Sequence, residues 1–132
     1  MIYLLDTNAV IALMKENQNV IAYVRQIGKS HLRICAPVEA ELWFGVQKSE
    51  QQSKNRFRLQ TFLEWIPSLP FESNAAYHFG EIRADLTKKG TPIGLFDMQI
   101  AAIALANNLT VVTNNTREFE RVPNLKLEDW LI

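Results

Sequence analysis

The chain has 132 residues, of which 48% are hydrophobic, and this supplies enough apolar material for the core of one domain. Its 14 basic and 14 acidic residues give a formal net charge of zero. This balance excludes a protein that attracts nucleic acid or an anionic membrane through its overall field, so an anionic substrate has to be held by local charge or by bound cations.

The single cysteine and the lack of long apolar runs indicate where the protein acts. Cys35 lies in the apolar run LRICA, where core packing is the ordinary role of a free thiol. One cysteine cannot form an intramolecular disulfide, which suits a reducing compartment. The sequence contains no signal peptide and no run that could span a bilayer. We therefore expect a single domain over residues 1–132, located in the cytoplasm and not associated with a membrane.

Short apolar strands alternate with helices along the chain. In chain order the predicted elements are a strand over 2–5, helices over 8–14 and 19–27, a strand over 31–35, helices over 37–49, 53–65, 73–89 and 97–107, a strand over 110–113, and one more strand within NLKLEDW near the end. Thr7 or Asn8 is the expected cap of the first helix, Pro37 begins the third, and Gly90 ends the fifth. Strands that are apolar on both faces and separated by helices are typical of a covered parallel sheet. The predicted fold is a three-layer α/β/α sandwich with a central parallel sheet.

Three acids are predicted on surfaces that are otherwise apolar. Asp6 directly follows the first strand, and in parallel sheets ligands bind beyond the carboxyl ends of the strands. Helical projection puts Glu41 on the apolar stripe of its helix and Glu39 on the solvent side. The same projection puts Asp97 in the first turn of a nearly all-apolar helix. Because buried carboxylates are costly without a counter-charge, three together predict a bound cation.

Each acid also has a simpler structural explanation. Asp6 fits an Asx turn, Asp97 an N-cap, and Glu41 a partner for a nearby arginine. If all three explanations were correct, three acids would lie at the same end of the sheet by chance. His31 and His78 have no partner at metal-ligand spacing, so the expected ion is Mg²⁺ or Mn²⁺ rather than zinc.

Two other carboxylate chemistries fit the sequence poorly. A phosphatase with an aspartyl nucleophile usually has a second acid two residues after the first, where this chain has Asn8. A phosphate-receiving signalling domain needs adjacent acids and a lysine at the end of a later strand, whereas TVVT is followed by Asn114 and Asn115. The sequence has no Gly-rich phosphate loop either.

Four segments in order carry a family resemblance: LLDTN at 4–8, AELWFGVQKS at 40–49, IRADLTKKGTPIGLFDMQIAAIA at 82–104, and VVTNNTREFERVPNLKLEDW at 111–130. With these segments the chain resembles the PIN-domain ribonucleases, and within them the VapC-type toxins of bacterial toxin–antitoxin pairs. The resemblance implies that Asp6, Glu41 and Asp97 are the catalytic, metal-binding acids.

The resemblance also assigns roles to residues around the three acids. Asn115 stands where many PIN domains have a further aspartate, so this chain offers one charge fewer. Glu118 either compensates as a metal ligand or caps the helix that it begins. Thr7 and Asn8 are expected to orient Asp6. Arg83 and Arg117 are the expected substrate-binding cations, with solvated surface charge as the alternative for each.

The activity implied by the resemblance is hydrolysis of RNA with the help of one or two Mg²⁺ or Mn²⁺ ions, without a protein nucleophile. The relatives nearest to this pattern cut the anticodon arm of initiator transfer RNA. The implied partners are a second copy of the chain, in a dimer within a larger complex, and a small antitoxin whose C-terminal segment blocks the cleft. Trp43 and Phe44 are adjacent and cannot both face inward, so at least one is expected at an interface.

Two other functions remain open from the sequence. One is a catalytically weak PIN-like module that binds RNA or protein, which the neutral Asn115 favours. The other is a metal-dependent phosphohydrolase that acts on another substrate class, such as small phosphates.

Overall fold

The computed structural model describes residues 1–132 and contains one five-stranded sheet with seven α-helices. The strands are β1 Tyr3–Leu5, β2 Leu32–Cys35, β3 Ser68–Leu69, β4 Thr110–Val112 and β5 Lys126–Glu128. The helices are α1 Thr7–Met14, α2 Gln18–Ile27, α3 Ala36–Lys48, α4 Gln52–Trp65, α5 Ser73–Lys89, α6 Leu95–Asn107 and α7 Thr116–Phe119, and a single 3₁₀ turn covers Lys29–His31. None of the helices combines the length and apolar character needed to cross a membrane.

The strand order is β3-β2-β1-β4-β5, and every neighbouring pair is parallel. Consecutive residues of the central strands are buried, for example Leu4 with Leu5 and Val111 with Val112. Because neighbouring residues of a strand face opposite sides, both faces of the sheet must be covered. The predicted α/β sandwich with a central parallel sheet is therefore confirmed.

In this strand order, the direction in which the chain adds successive strands reverses between β1 and β4. The chain moves from β1 outward through β2 to β3, then crosses to β4 on the other side of β1. In open α/β sheets the crevice at such a reversal is the usual ligand site. Asp6 follows β1 at this crevice, and residue 113 follows β4 next to it.

Most predicted boundaries agree with the structure to within one residue, but strand β3 and the start of α6 differ from the sequence-based expectation. β3 was not predicted, because a two-residue strand between Pro67 and Pro70 shows no periodicity, and its edge position tolerates the flanking prolines. The helix expected from Asp97 begins at Leu95, so that the last two residues of the predicted loop TPIGLF are helical. The strand expected within NLKLEDW is present as β5.

Two expectations about single side chains agree with the structure. Cys35 is fully buried, and burial raises the pKa of its thiol to about 12, as expected for a packing residue rather than a nucleophile. Trp43 packs against the core while Phe44 is 66% exposed. The adjacent aromatic pair therefore divides between core and surface.

Trp130 fixes the segment after β5 to the rest of the molecule. Its ring stacks on Tyr23 at 5.1 Å and meets Tyr3 at 5.3 Å. Its indole Nε1 donates to Glu128 Oε1 at 2.9 Å, and the side chain is 1% exposed. A single residue thus links β1, α2 and the end of the chain.

Replacing Trp130 should therefore cost a large part of the stability. We expect Trp130→Ala to lower the free energy of unfolding by about 3–5 kcal/mol and Trp130→Phe by clearly less, because Phe keeps part of the aromatic packing. Urea unfolding measures both, with Ile132→Ala as the control at a side chain that is 89% exposed. A loss below about 1 kcal/mol for Trp130→Ala would show that the segment after β5 is not held by this ring.

Candidate active site

Asp6 lies at the C-terminal end of β1 and begins helix α1. Its backbone N–H donates to Val112 O at 3.1 Å, which continues the parallel pairing of β1 with β4 by one residue. Its side chain caps α1, with Oδ1 accepting from Ala9 N at 2.8 Å. The expected cap at Thr7 or Asn8 was wrong: Asp6 lies one residue earlier and has the extended backbone that an N-cap requires.

The Asp6 carboxyl is 5% exposed. Burial raises its pKa, hydrogen bonds from Thr113 and from the Ala9 N–H lower it, and the charges of Glu41 and Asp129 raise it further. Capping of α1 therefore explains the position of one Asp6 oxygen. It does not explain why a carboxylate lies close to the charge of Glu41.

Glu41 faces the same end of the sheet from α3. Thr7 Oγ1 donates to Glu41 Oε1 at 2.7 Å, across 34 positions of sequence, and this bond joins α1 to α3. Thr7 was expected to orient Asp6, and its hydroxyl instead holds Glu41. Glu39, expected to be solvated, is only partly exposed, as Glu41 is.

Asn8 also binds a different partner from the expected one. Its Nδ2 donates to Asn114 Oδ1 at 3.3 Å, so that it ties α1 to the loop after β4. Thr7 and Asn8 thus connect the first helix to two other elements of the site, one on each side.

Asp97 lies in the first turn of α6 but does not cap it, because the N-cap is Gly94 and no side chain bonds to the helix start there. Asn115 Nδ2 donates to Asp97 Oδ2 at 3.4 Å and to Glu118 Oε2 at 3.1 Å. The amide thus bridges two acids from α6 and α7. Glu118 is engaged by a side chain rather than by the backbone N–H groups of α7, so it does not act as a helix cap.

The four acids Asp6, Glu41, Asp97 and Glu118 form one electrostatic group, which we call the acid cluster. Burial raises the pKa of Asp97 to about 6, and Glu118, Asp6 and Glu41 add to the rise. The two ion pairs of the structure, His78–Glu81 and Lys89–Asp85, both lie on α5. No acid of the cluster therefore has a lysine, arginine or histidine partner.

This donor set fits a hard divalent cation. Carboxylate oxygens without a basic partner are the ligands that Mg²⁺ and Mn²⁺ prefer, and such an ion would relieve the repulsion that raises the pKa of Asp97. No three acidic, histidine or cysteine side chains are arranged to hold one ion directly. Water or substrate oxygens would have to complete the coordination, as Mg²⁺ commonly requires.

The two predicted substrate-binding cations form no ion pair with this group. Arg83 on α5 and Arg117 on α7 are exposed, and neither forms an ion pair with an acid. The structure thus brings together Asp6, Glu41, Asp97, Asn115 and Glu118, with Thr7 and Asn8 at their edge, and leaves the two arginines free in solvent.

Thr113 is a site residue that the sequence analysis missed. It follows β4 and is 1% exposed; its Oγ1 accepts from Asn115 N at 2.9 Å, while its hydroxyl lowers the pKa of Asp6. The run TVVTNN shows a hydroxyl residue at the end of a predicted strand, but its position next to Asp6 depends on the pairing of β1 with β4.

Removing the charge of Asp97 should stabilise the metal-free protein at neutral pH. The folded protein holds this proton more tightly than an unfolded chain, where the pKa is 3.8. The free energy of unfolding therefore falls as pH rises from about 4 to 6 and stays lowered above that range. Because Asp97 is partly exposed, we expect its ionised carboxylate to lower the free energy of unfolding by only about 1 kcal/mol. This corresponds to about 2–5 °C in Tm.

The measurement is thermal unfolding of Asp97→Asn in EDTA at pH 7.5 and at pH 4. We expect a higher Tm than that of the unmodified chain at pH 7.5 and no gain at pH 4. Asp85→Asn, which removes a carboxylate paired with Lys89, is the matched control and should not raise Tm. An Asp97→Asn protein with unchanged or lower Tm at pH 7.5 would contradict the destabilising effect of the ionised Asp97 carboxylate.

Comparisons with known proteins agree with this geometry. Residues 3–125 match the PIN domain family. Ribonuclease VapC2 of Rickettsia felis is 40% identical to the chain over 132 residues, covering 98% of each protein. The tRNA(fMet)-specific endonuclease VapC of Salmonella typhimurium is 38% identical over 128 residues, covering 97% of each.

Solved structures give the same result for the fold. The chain superimposes with a TM-score of 0.92 on VapBC2 from Rickettsia felis bound to a promoter DNA fragment, at 38% identity and with 98% of this chain and 99% of that one covered. It superimposes equally well, with a TM-score of 0.92 and 37% identity, on DNA-bound VapBC from Salmonella typhimurium, covering 98% of each chain. The chain belongs to the PIN-domain family and, within it, to the VapC ribonucleases.

Proposed function

We propose that this chain is a toxin that cuts transfer RNA at the acid cluster with the help of Mg²⁺ or Mn²⁺, and that a VapB-like antitoxin restrains it. The observation that carries the proposal is the group of four carboxylates without a cationic partner. A purely structural arrangement would not keep four mutually repelling acids together, because their separation would stabilise the fold.

Asp6, Glu41 and Asp97 would hold the cation partly through water or substrate oxygens, with Glu118 and Asn115 as further ligands at the side of α7. When bound, a divalent cation binds phosphate oxygens, acidifies water and stabilises the leaving oxygen. Glu41 or Asp97 accepts the proton that the attacking water loses. No side chain attacks the phosphorus, so the cut leaves no bond between protein and RNA.

Hydrogen bonds from neutral groups set the positions of these acids. Ala9 N–H holds one oxygen of Asp6, the Thr7 hydroxyl holds Glu41, and the Asn115 amide holds Asp97. Arg83 and Arg117 attract phosphates from the exposed surface. The Ala9 N–H, the Thr7 hydroxyl and the Asn115 amide position the acids without neutralising them. The negative charge of the acids therefore stays available to a cation.

Transfer RNA is the proposed substrate because a relative with 38% identity is named a tRNA(fMet)-specific endonuclease, and the anticodon arm of initiator transfer RNA is the proposed site. Its loop exposes unstacked nucleotides that a cleft in a protein of zero net charge can bind through local groups. The proposed protein partners are an antitoxin and a second copy of the chain, since related chains were solved as VapBC complexes.

Cleavage by the antitoxin-free protein tests the proposal. We expect purified protein to cut transfer RNA in Mg²⁺ or Mn²⁺ and not in EDTA, and Asp6→Asn and Asp97→Asn to lose at least about 100-fold in rate, because each removes a charged ligand. Gel analysis of end-labelled RNA gives the rates, and Asp85→Asn is the matched control on α5.

Two outcomes would overturn this function. Cutting that persists in EDTA or in Asp97→Asn would indicate a contaminant or another mechanism. RNA that binds but stays intact with either metal would favour a binding module, which the neutral Asn115 makes the second candidate.

The Thr7 hydroxyl gives a further prediction. Thr7→Val keeps the shape of the side chain but removes the donor to Glu41, so we expect a loss of about 10–100-fold in kcat, the range found when a group that orients a metal ligand is removed. Thr7→Ser restores the hydroxyl and should recover most of the activity. Equal rates for the Val and Ser variants would show that Glu41 does not depend on this bond.

A further inference from the structure

A groove between α1, α3 and α4 begins at the acid cluster and runs away from it. It has a volume of about 340 Å³ and reaches Glu41 at its inner end. Each helix contributes residues three or four positions apart, so one continuous face of each helix lines the groove. Gly45 and Val46 belong to the α3 wall, and Asn55 and Leu59 to the α4 wall.

Helix α1 connects the groove to the acids. Thr7, at its start, donates to Glu41. Ile11 and Lys15 follow on the same face at intervals of four residues, and both line the groove. A ligand that lies along this face of α1 therefore passes from exposed cationic surface to the carboxylates.

The outer end of the groove carries two cations without acidic partners. Lys15 ends α1, and Arg58 from α4 donates through Nη2 to Met14 O at 3.3 Å. Neither forms an ion pair, and both side chains are exposed. One hydrogen bond orients Arg58 and leaves most of its donors free for an anion.

The groove thus combines an apolar floor, a polar amide and two cations. Ile11, Met14 and Leu42 supply apolar surface, and Asn55 offers both a donor and an acceptor. An apolar ring that carries polar edges and is flanked by anionic groups matches this lining, and a nucleotide of single-stranded RNA has this chemistry. The charge order, acidic inside and basic outside, fits phosphates that reach the acids through a bound cation and contact the protein directly farther out.

We propose that this groove binds one unpaired RNA nucleotide beside the bond that is cut, with its base on the apolar floor and its flanking phosphate on Lys15 and Arg58. The inference rests on the proposed ribonuclease function and names the residues that select the substrate next to the acids. Asn55 reads the edge of the base. Gly45 leaves space at the α3 wall, since a Cβ at this position would meet no atom within 4 Å.

Filling the groove provides the main test. Gly45→Leu places a side chain in open space and removes a glycine from a helix, so the fold should keep or gain stability. We expect KM for transfer RNA in Mg²⁺ to rise at least about tenfold, the loss typical when a base can no longer pack, while kcat stays within about twofold. Ala76→Leu on α5, which enlarges an exposed side chain that does not line the groove, is the control and should change neither constant.

Removing the cation tests the phosphate contact. Arg58→Ala should weaken binding of fluorescein-labelled transfer RNA, followed by anisotropy in Ca²⁺, and lower the slope of log Kd against log salt by about one. Arg56→Ala removes the same charge from an exposed position of α4 that does not line the groove and should leave the slope almost unchanged.

The outcomes separate this inference from the proposed function. Wild-type cleavage with unchanged KM in Gly45→Leu, at a Tm no lower than that of the wild type, would overturn the groove assignment and leave the nuclease intact. An equal effect of Arg56→Ala and Arg58→Ala would overturn the phosphate contact in favour of general charge attraction. A wild-type protein that neither binds nor cuts RNA would remove the function on which the inference rests.

Discussion

The repulsion among carboxylates at the ends of β1 and β4 is the constraint on which the rest of the structure depends. Parallel pairing of Leu5 with Val112 puts Asp6 at the centre of the sheet edge, where burial raises its pKa. Glu41, Asp97 and Glu118 approach from three helices, and Glu118, Asp6 and Glu41 add to the rise that burial causes in the pKa of Asp97. Such a group opposes folding, so the energy that keeps it together must come from elsewhere.

The core and the neutral hydrogen bonds supply that energy in different ways. The apolar core, including the rings around Trp130, stabilises the sheet. At the site itself the donors are a backbone amide, a hydroxyl and a side-chain amide. A lysine or arginine would hold the acids more strongly but would also occupy the charge that a cation needs. Neutral donors therefore position the acids without pairing them with a positive charge, which the proposed cation site requires and a network of ion pairs would not allow.

The sequence predicted the elements whose signals are local. The strands beside Asp6 and Thr113 are unbroken apolar runs, and the helix before Gly90 repeats its apolar residues at regular spacing. β3 and the first turn of α6 lacked such signals: two residues between prolines have no period, and Gly94 begins α6 without a capping side chain. In the run DTN every residue is a good cap, and the choice of Asp6 depends on where β1 stops.

The site was predictable as a set of acids but not as a set of contacts. Helical projection found Glu41 and Asp97, because a carboxylate on an apolar stripe is a local anomaly. The bond from Thr7 to Glu41 spans 34 positions, and the bridge from Asn115 to Asp97 spans 18. Both depend on how helices pack around the sheet, which neither spacing nor propensity encodes. Residue types at strand ends thus indicate the chemistry, while the partners of each residue follow from the topology.

The chain has zero net charge because its acidic and basic residues are equal in number. Within the molecule, some of these acids and bases lie in different places. The acids gather at one edge of the sheet without partners, and cations such as Lys15 and Arg58 stay free at the far end of α1 and on α4. Because the chain has no overall positive field, an anion is attracted by local groups such as these cations rather than by the molecule as a whole. Because Glu41 belongs both to the acid cluster and to the groove wall, a large molecule that fills the groove also covers the acids.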